Sequence, residues 1–306
     1  MPHDHHHNHH HHVDPDAGDA RVAWAIAVNM GLTVAQVVGG ILSGSLALIA
    51  DALHNFSDAI SLIIAFFARK IARRPADEAM SFGYGRAEVV AALVNYTTLV
   101  VLAVYLIYEG VMRALEPQPI DGWLVVWIAA IALVVDLVTA ALTYSMSKQS
   151  MNIRAAFLHN LADALGSVAV IIAGVCVILW GWNWVDPVVT LMIAFYILWH
   201  VKAEVGGVIR VLMLGSPPDL DVPEVIATMR AVPGVKDLHH LHLWQMEEHR
   251  AALQAHVVID ESDNGQQHHI GARIKQDLRD RFGIGHTTLD FELNSETCGD
   301  SRLIGH

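Results

Sequence analysis

The heptapeptide Leu53-His54-Asn55-Phe56-Ser57-Asp58-Ala59 recurs as Leu158-His159-Asn160-Leu161-Ala162-Asp163-Ala164, and both copies lie inside long apolar stretches. In each copy the His and the Asp stand four residues apart, which on a helix puts them on one face. Two such faces turned together offer two imidazoles and two carboxylates: His54, Asp58, His159 and Asp163. Four nitrogen and oxygen donors are what Zn²⁺ takes up in tetrahedral coordination. An ionised Asp at the centre of a bilayer costs about 2.5–3.5 kcal/mol, a penalty that packing alone does not explain, and such residues mark ion pathways. If all four donors close the shell of a cation, no position is left for an activated water. The chain also lacks a His-Glu-x-x-His helix with its general base, so hydrolysis is disfavoured and carriage favoured.

The elements that must position these groups are read from apolar runs of about 20 residues, the length that crosses a bilayer. Six are expected: Val22 to Leu42, Leu46 to Phe67, Val89 to Met112, Trp123 to Thr143, Ala155 to Trp180 and Val185 to Val201. With a rise of 1.5 Å per residue, Asp58 lies roughly 16 Å inside Arg69 and Asp163 roughly 14 Å inside Arg154, so the carboxylates reach a similar depth. Arg21, Arg69, Lys70, Arg73, Arg74, Arg86, Lys148, Arg154, Lys202 and Arg210 flank one side of the membrane and only Arg113 the other. The positive-inside rule then puts both termini in the cytosol of a multi-pass protein of the inner (plasma) membrane. Trp123, Trp180, Trp182 and Trp184 fall where an interfacial aromatic belt sits. The first twenty residues are polar, and no cleavable signal peptide is expected.

Hydrophobic residues make up 54% of the 306 and charged ones 16%, a balance that fits a membrane protein better than a soluble one. A net charge of -12 argues against nucleic acid as a partner and suits cations. With only Cys176 and Cys298, neither a disulfide framework nor a cysteine-based metal site has enough members, so metal chemistry is expected to rest on His, Asp and Glu. Asp136 and Asn95, inside apolar helices, suit either the ion path or an interhelical hydrogen bond. Asp51 shares the face of His54 and suits a supporting or an entry role.

From Pro217 the pattern turns to short elements: a helix over Val222 to Val232, a strand over Lys236 to Met246, a tight turn near His249, a strand over Ala251 to Ile259, a helix over Gln266 to Phe282 and a strand over Thr287 to Leu293. The αββαβ order predicts a small α/β sandwich of ferredoxin-like type. The expected division is a His-rich cytosolic tail over residues 1–20, a six-helix all-α transmembrane domain over 21–210, a cytosolic α/β domain over 216–296 and a tail over 297–306. On the last strand Asp290 and Glu292 alternate onto one face with His286 and Thr288, while Leu289, Phe291 and Leu293 take the other.

These residues resemble the cation diffusion facilitator family. Besides the two His-x-x-x-Asp copies, Ser81-Phe82-Gly83-Tyr84-Gly85-Arg86-Ala87-Glu88 is similar to the family's entry to its third helix. His239-His240-Leu241-His242-Leu243-Trp244 is similar to a strand in its cytosolic domain, with His240 where the family carries Asp. The resemblance implies a homodimeric, membrane-embedded exporter of divalent metal from the cytosol, commonly exchanging it for protons, with His54, Asp58, His159 and Asp163 binding the transported ion. It implies zinc for a pair of His with a pair of Asp. It also implies a cytosolic metal site near the dimer interface, built on His239, His256, Asp290 and Glu292. A further site of some relatives, in the loop between helices two and three, retains only Asp77 here, with Met80 and Tyr84 at the His positions.

Eight of the first twelve residues are His, interleaved with Asp4 and Asn8, and are expected to form a disordered, metal-collecting tail. No cofactor is expected; zinc enters as substrate and as a ligand of the cytosolic domain. Two other readings stay open: the same fold carrying Cd²⁺ or Co²⁺, and a membrane-anchored metal sensor or buffer through which nothing crosses.

Overall fold

A computed structural model describes residues 30–147, 151–247, 250–295, 297–299 and 302–305, leaving aside the side chains at 62, 142–143, 145–147, 151–157, 159 and 264. The His-rich tail, the first part of the expected first helix and His249 lie outside the described residues. The apolar runs form α1 (described over Met30–Ser43), α2 (Leu46–Ala72), α3 (Ala87–Leu115), α4 (Gly122–Ser147), α5 (Met151–Trp180) and α6 (Val185–Leu212). Five of these, α2 to α6, are long and apolar enough to cross a membrane. Charges sit where the helix dipole favours them, with Glu88 and Asp186 in the first turns of α3 and α6, and Arg113 and Arg210 in their last. Most outrun the apolar segments expected from the sequence, α6 by eleven residues at its end, because a backbone ladder continues past the first charge once the chain leaves lipid.

The chain divides into two compact units, the boundaries falling within helices after Ile63, Tyr96 and His200. In the first unit Ala47 and Leu48 of α2 meet Val125 and Ala129 of α4, Val170 and Ala173 of α5 and Val189 of α6 in one apolar cluster. Small residues let helix backbones approach closely in lipid, which is why Ala and Gly recur here. A Cβ at Gly122 would stand 2.7 Å from the Gly174 carbonyl oxygen, so α4 and α5 touch through bare backbone. Trp180, Trp182 and Trp184 are exposed and in ring contact in sequence, the first pair stacked and the second tilted, with ring centroids 5.3 and 5.7 Å apart.

In the second unit the soluble segment folds as α7 (Val222–Arg230), β1 (Val235–Glu247), β2 (Arg250–Ile259), a 3₁₀ turn (Glu261–Gln266), α8 (Gln267–Phe282) and β3 (His286–Leu293). The sheet order is β1-β2-β3, with β1 and β2 antiparallel and β2 and β3 parallel through the crossover helix α8. The αββαβ order expected from the sequence is the one found. The first helix stops at Arg230, not Val232, because Pro233 disfavours helical geometry at the residue before it. Val225 and Met229 of α7, Ile274 and Leu278 of α8 and Leu253 and Val257 of β2 form its core. Leu289, Phe291 and Leu293 pack against that core from β3, as the alternation predicts, which leaves the opposite sheet face for polar groups.

Candidate metal centres

Asp58 follows His54 by one helical turn on α2, and Asp163 comes from α5 to meet them. His54 Nε2 stands 3.7 Å from Asp58 Oδ2 and 3.6 Å from Asp163 Oδ1. Two ligands about 2.0–2.1 Å from a tetrahedral zinc are about 3.3–3.5 Å apart, so a few tenths of an ångström separate these atoms from co-ligand spacing. One ligand atom from each of the three lies within 4.8 Å of the others. The side chains are 15% (His54), 26% (Asp58) and 9% (Asp163) exposed, which is accessible to an ion yet largely shielded from water. The backbone of His159 lies on α5, four residues before Asp163, and its side chain is outside the described ones.

Groups around these three residues tie their helices together. Gln36 of α1 donates from Nε2 to Asp51 Oδ2 at 2.7 Å, both residues being buried, so Asp51 ties α1 to α2 one turn from His54. Ser167 of α5 donates to Asp136 Oδ2 of α4 at 3.2 Å, the interhelical bond that was one of the two sequence-based readings of Asp136. Tyr196 of α6 sets its ring edge-on to that of His54, with centroids 6.2 Å apart and planes at 86°. Neither Tyr196 nor Gln36 was singled out by the sequence; a polar group within an apolar helix at the depth of the repeat is the signal that could have found them.

A second cluster lies on the open face of the sheet. Paired strands bring His239 of β1 opposite His256 of β2, and His256 beside β3. Glu292 Oε1 is 2.5 Å from His256 Nδ1, and its Oε2 is 3.3 Å from His239 Nε2. The fourth member is Cys298, whose thiol donates to Glu292 Oε1 at 3.0 Å, with Sγ 3.7 Å from His256 Nδ1. Ligand atoms of these four all lie within 4.8 Å of one another. Asp290 pairs with His256 in the sheet but is exposed and outside this group. The sequence-based expectation names only His, Asp and Glu as donors; the cluster adds Cys298, which a tail that doubles back carries there.

That return depends on β1. Its register shifts between His239 and His242, and His240 takes a left-handed backbone with φ 48°. The N–H groups of His240 and Leu241 turn away from β2 and donate to the carbonyls of Arg302 and Leu303, while Leu241 and Ile304 form a parallel bridge. The ring of His240 consequently sits 5.1 Å, centroid to centroid, from both His239 and His256. Burial pushes the Glu292 carboxyl up, but bonds from the Cys298 thiol and N–H and from His256, with His239 close by, outweigh it and hold the group at about 2. The Cys298 thiol is in turn pushed up, first by its bond to Glu292 and then by burial.

In the loop between α2 and α3, Asp77 accepts from the N–H groups of Ala79 and Met80 and from the Tyr84 hydroxyl, so its carboxylate shapes the loop itself.

Residues 22–211 match the family model of the cation efflux transmembrane domain, and residues 217–293 that of the cation efflux protein cytoplasmic domain. The metal cation efflux system protein CzcD of Cupriavidus metallidurans is 36% identical over 291 residues, covering 95% of this chain and 89% of that protein. The cadmium, cobalt and zinc/H(+)-K(+) antiporter of Bacillus subtilis is 35% identical over 89% of this chain and 88% of its own. The zinc transporter ZitB of Escherichia coli is 34% identical over 90% and 88%. Among solved structures, the metal-bound C-terminal domain of the Cupriavidus CzcD transporter matches 24% of this chain and all of its own, at 40% identity and a TM-score of 0.23.

Proposed function

The chain belongs to the cation efflux family, the cation diffusion facilitators, and from that premise we propose that it exports zinc from the cytosol in exchange for protons. It is a multi-pass membrane transporter of divalent metal cations and not an enzyme. The observation that carries the zinc reading is the convergence of His54, Asp58 and Asp163 within apolar helices, at spacings a single small cation would close. His159 is the fourth ligand, supported by the repeat that puts it on α5 one turn from Asp163. Two imidazoles and two carboxylates suit borderline Zn²⁺, whereas a soft ion such as Cd²⁺ prefers sulfur.

Metal binding requires neutral imidazole and ionised carboxylate, so it expels any protons these groups carry. Protons entering from outside compete for the same atoms and favour release. Alternation of the site between the two sides then gives antiport. The transmembrane domain spans residues 21–210, with both termini in the cytosol and the protein in the inner membrane, a reading supported by the basic residues on one side. The domain over 216–296 would pair two copies of the chain, as its match to a dimer-type cytoplasmic domain supports. There His239, His256, Glu292 and the tail residue Cys298 would hold a resident zinc; Asp290, implied by resemblance, lies outside their group.

The test is reconstitution of the purified chain in sealed vesicles, with internal zinc and pH followed together under an imposed proton gradient. Zinc movement with counterflowing protons, lost on Asp58→Ala, is the expected result. Tight zinc binding without flux, with a control carrier active in the same vesicles, would overturn it in favour of a sensor or buffer. Faster flux of Cd²⁺ or Co²⁺ than of Zn²⁺ would replace the ion while keeping the carrier.

A further inference from the structure

We propose that the Asp186 carboxylate is the latch of the exit: it holds the start of α6 against the start of α2 while the metal site faces the cytosol, and it lets go when the metal leaves on the far side. The inference rests on the transport reading and orientation above.

Asp186 is 1% exposed, and neither metal binding nor proton exchange at the transport ligands uses its charge. Its carboxylate accepts the Ser45 hydroxyl at 2.5 Å, Leu46 N–H at 2.8 Å and Ala47 N–H at 3.2 Å, across about 140 residues of chain. Ser45 caps its own helix, its Oγ accepting from Leu48 N at 3.1 Å. The orphan donors in the first turn of α2 are thus shared between a local cap and a carboxylate from another helix, the charge that a helix N-terminus prefers. Arg113, closing α3, donates to the Gly44 carbonyl, so α3 and α6 both grip the turn between α1 and α2.

Along α2 from Ser45 toward His54 and along α6 from Asp186 toward Tyr196, Ala47, Leu48 and Val189 pack in one apolar cluster, the plug of the proposed latch. The plug has little closing force of its own, because lipid is as apolar as Leu and Val. The polar knot therefore decides whether the seam is shut. It has two satisfied arrangements. Closed, the carboxylate and the N–H groups satisfy one another; open, water from the far side solvates both. An intermediate gap too narrow for water would strand a charge and several donors, so the seam switches between states instead of loosening gradually.

The double variant Ser45→Cys/Asp186→Cys, in a Cys176→Ala background, is reconstituted beside the two single variants and the unsubstituted chain. Zinc flux is measured before oxidation by copper phenanthroline, after it, and after reduction by a phosphine. The expected result is loss of flux on cross-linking, with zinc stoichiometry unchanged, recovery on reduction, and no response in the single variants. Undiminished flux with the cross-link formed overturns the proposal.

A second measurement needs no flux: labelling of Leu48→Cys, a fully buried position, by an impermeant maleimide from the far side. Adding Asp186→Ala should raise the labelling rate by about tenfold or more, the factor expected from losing a charge-assisted hydrogen bond, with zinc stoichiometry retained. Equal rates overturn the latch. An unsubstituted chain that moves no zinc would sink the transport reading, while the labelling still decides the latch.

Discussion

Asp163 is the most shielded of the three described residues of the proposed transport site, its side chain 9% exposed, so replacing it leaves the His54 ring facing a gap that water solvates poorly. Asp163→Ala should bring zinc flux to background and weaken zinc binding by at least about 10–100-fold, the range already seen for loss of groups that merely support a ligand. Calorimetry measures the binding and circular dichroism the intact fold; normal flux would remove the site from the mechanism. On the sheet, the Cys298 thiol is pushed up by Glu292, so without metal it stays protonated at neutral pH. It should react with iodoacetamide more slowly than a free cysteine, and binding a divalent ion should release its proton. Loading with Co²⁺ should give a sulfur-to-metal absorption band that Cys298→Ser abolishes; a band that persists excludes this sulfur as a ligand. His54, Asp58 and Asp163 were legible in the sequence because ionisable pairs at a four-residue spacing, repeated in apolar surroundings, cost too much to be there for packing. Cys298 was not, because it lies 42 residues from His256 and no periodicity reports where a tail will fold back.

Elements were read well where one period governs them and less well where two strands disagree about register. The strand expected over 236–246 is found as β1, but its bulge at His240 has no signature in composition: a His there reads as an ordinary strand residue. The left-handed backbone at His240 carries strain, which His tolerates better than a β-branched residue does. His240→Gly should leave the thermal midpoint unchanged or raised. His240→Val should cost about 1–3 kcal/mol, read as a lower midpoint of the sheet transition, and equal midpoints for the two would show that the bulge is unstrained. The turn between α1 and α2 is tighter. Gly44 has φ 73°, and a Cβ there would come 2.8 Å from the Pro119 carbonyl oxygen, so backbone, not side chain, would have to move. Such contacts between distant segments are absent from any local reading of the chain.

Across the whole molecule, charge asymmetry was the sequence signal for orientation, with ten basic residues flanking one side and Arg113 the other. Trp182→Cys, in the short connection between α5 and α6, should be labelled by an impermeant maleimide added outside intact cells. Cys298 should react only after permeabilisation. The reverse pattern would invert the topology and with it the direction of transport.

The return of the C-terminal tail to β1 puts part of the candidate cytosolic cluster beyond the region that the family model covers. The region matched by the cytoplasmic-domain model ends at residue 293, after the last strand. A fragment cut there would keep all three strands and both helices and lose the Cys298 sulfur, the partners of two β1 N–H groups and the two Cys298 bonds to Glu292, leaving its contact with His256. If the proposed cytosolic site holds metal, titrations on such a fragment would report a harder donor set than that of the full chain. A fragment that keeps the whole proposed donor set would run through the bridge at Ile304, with any affinity tag at its other end.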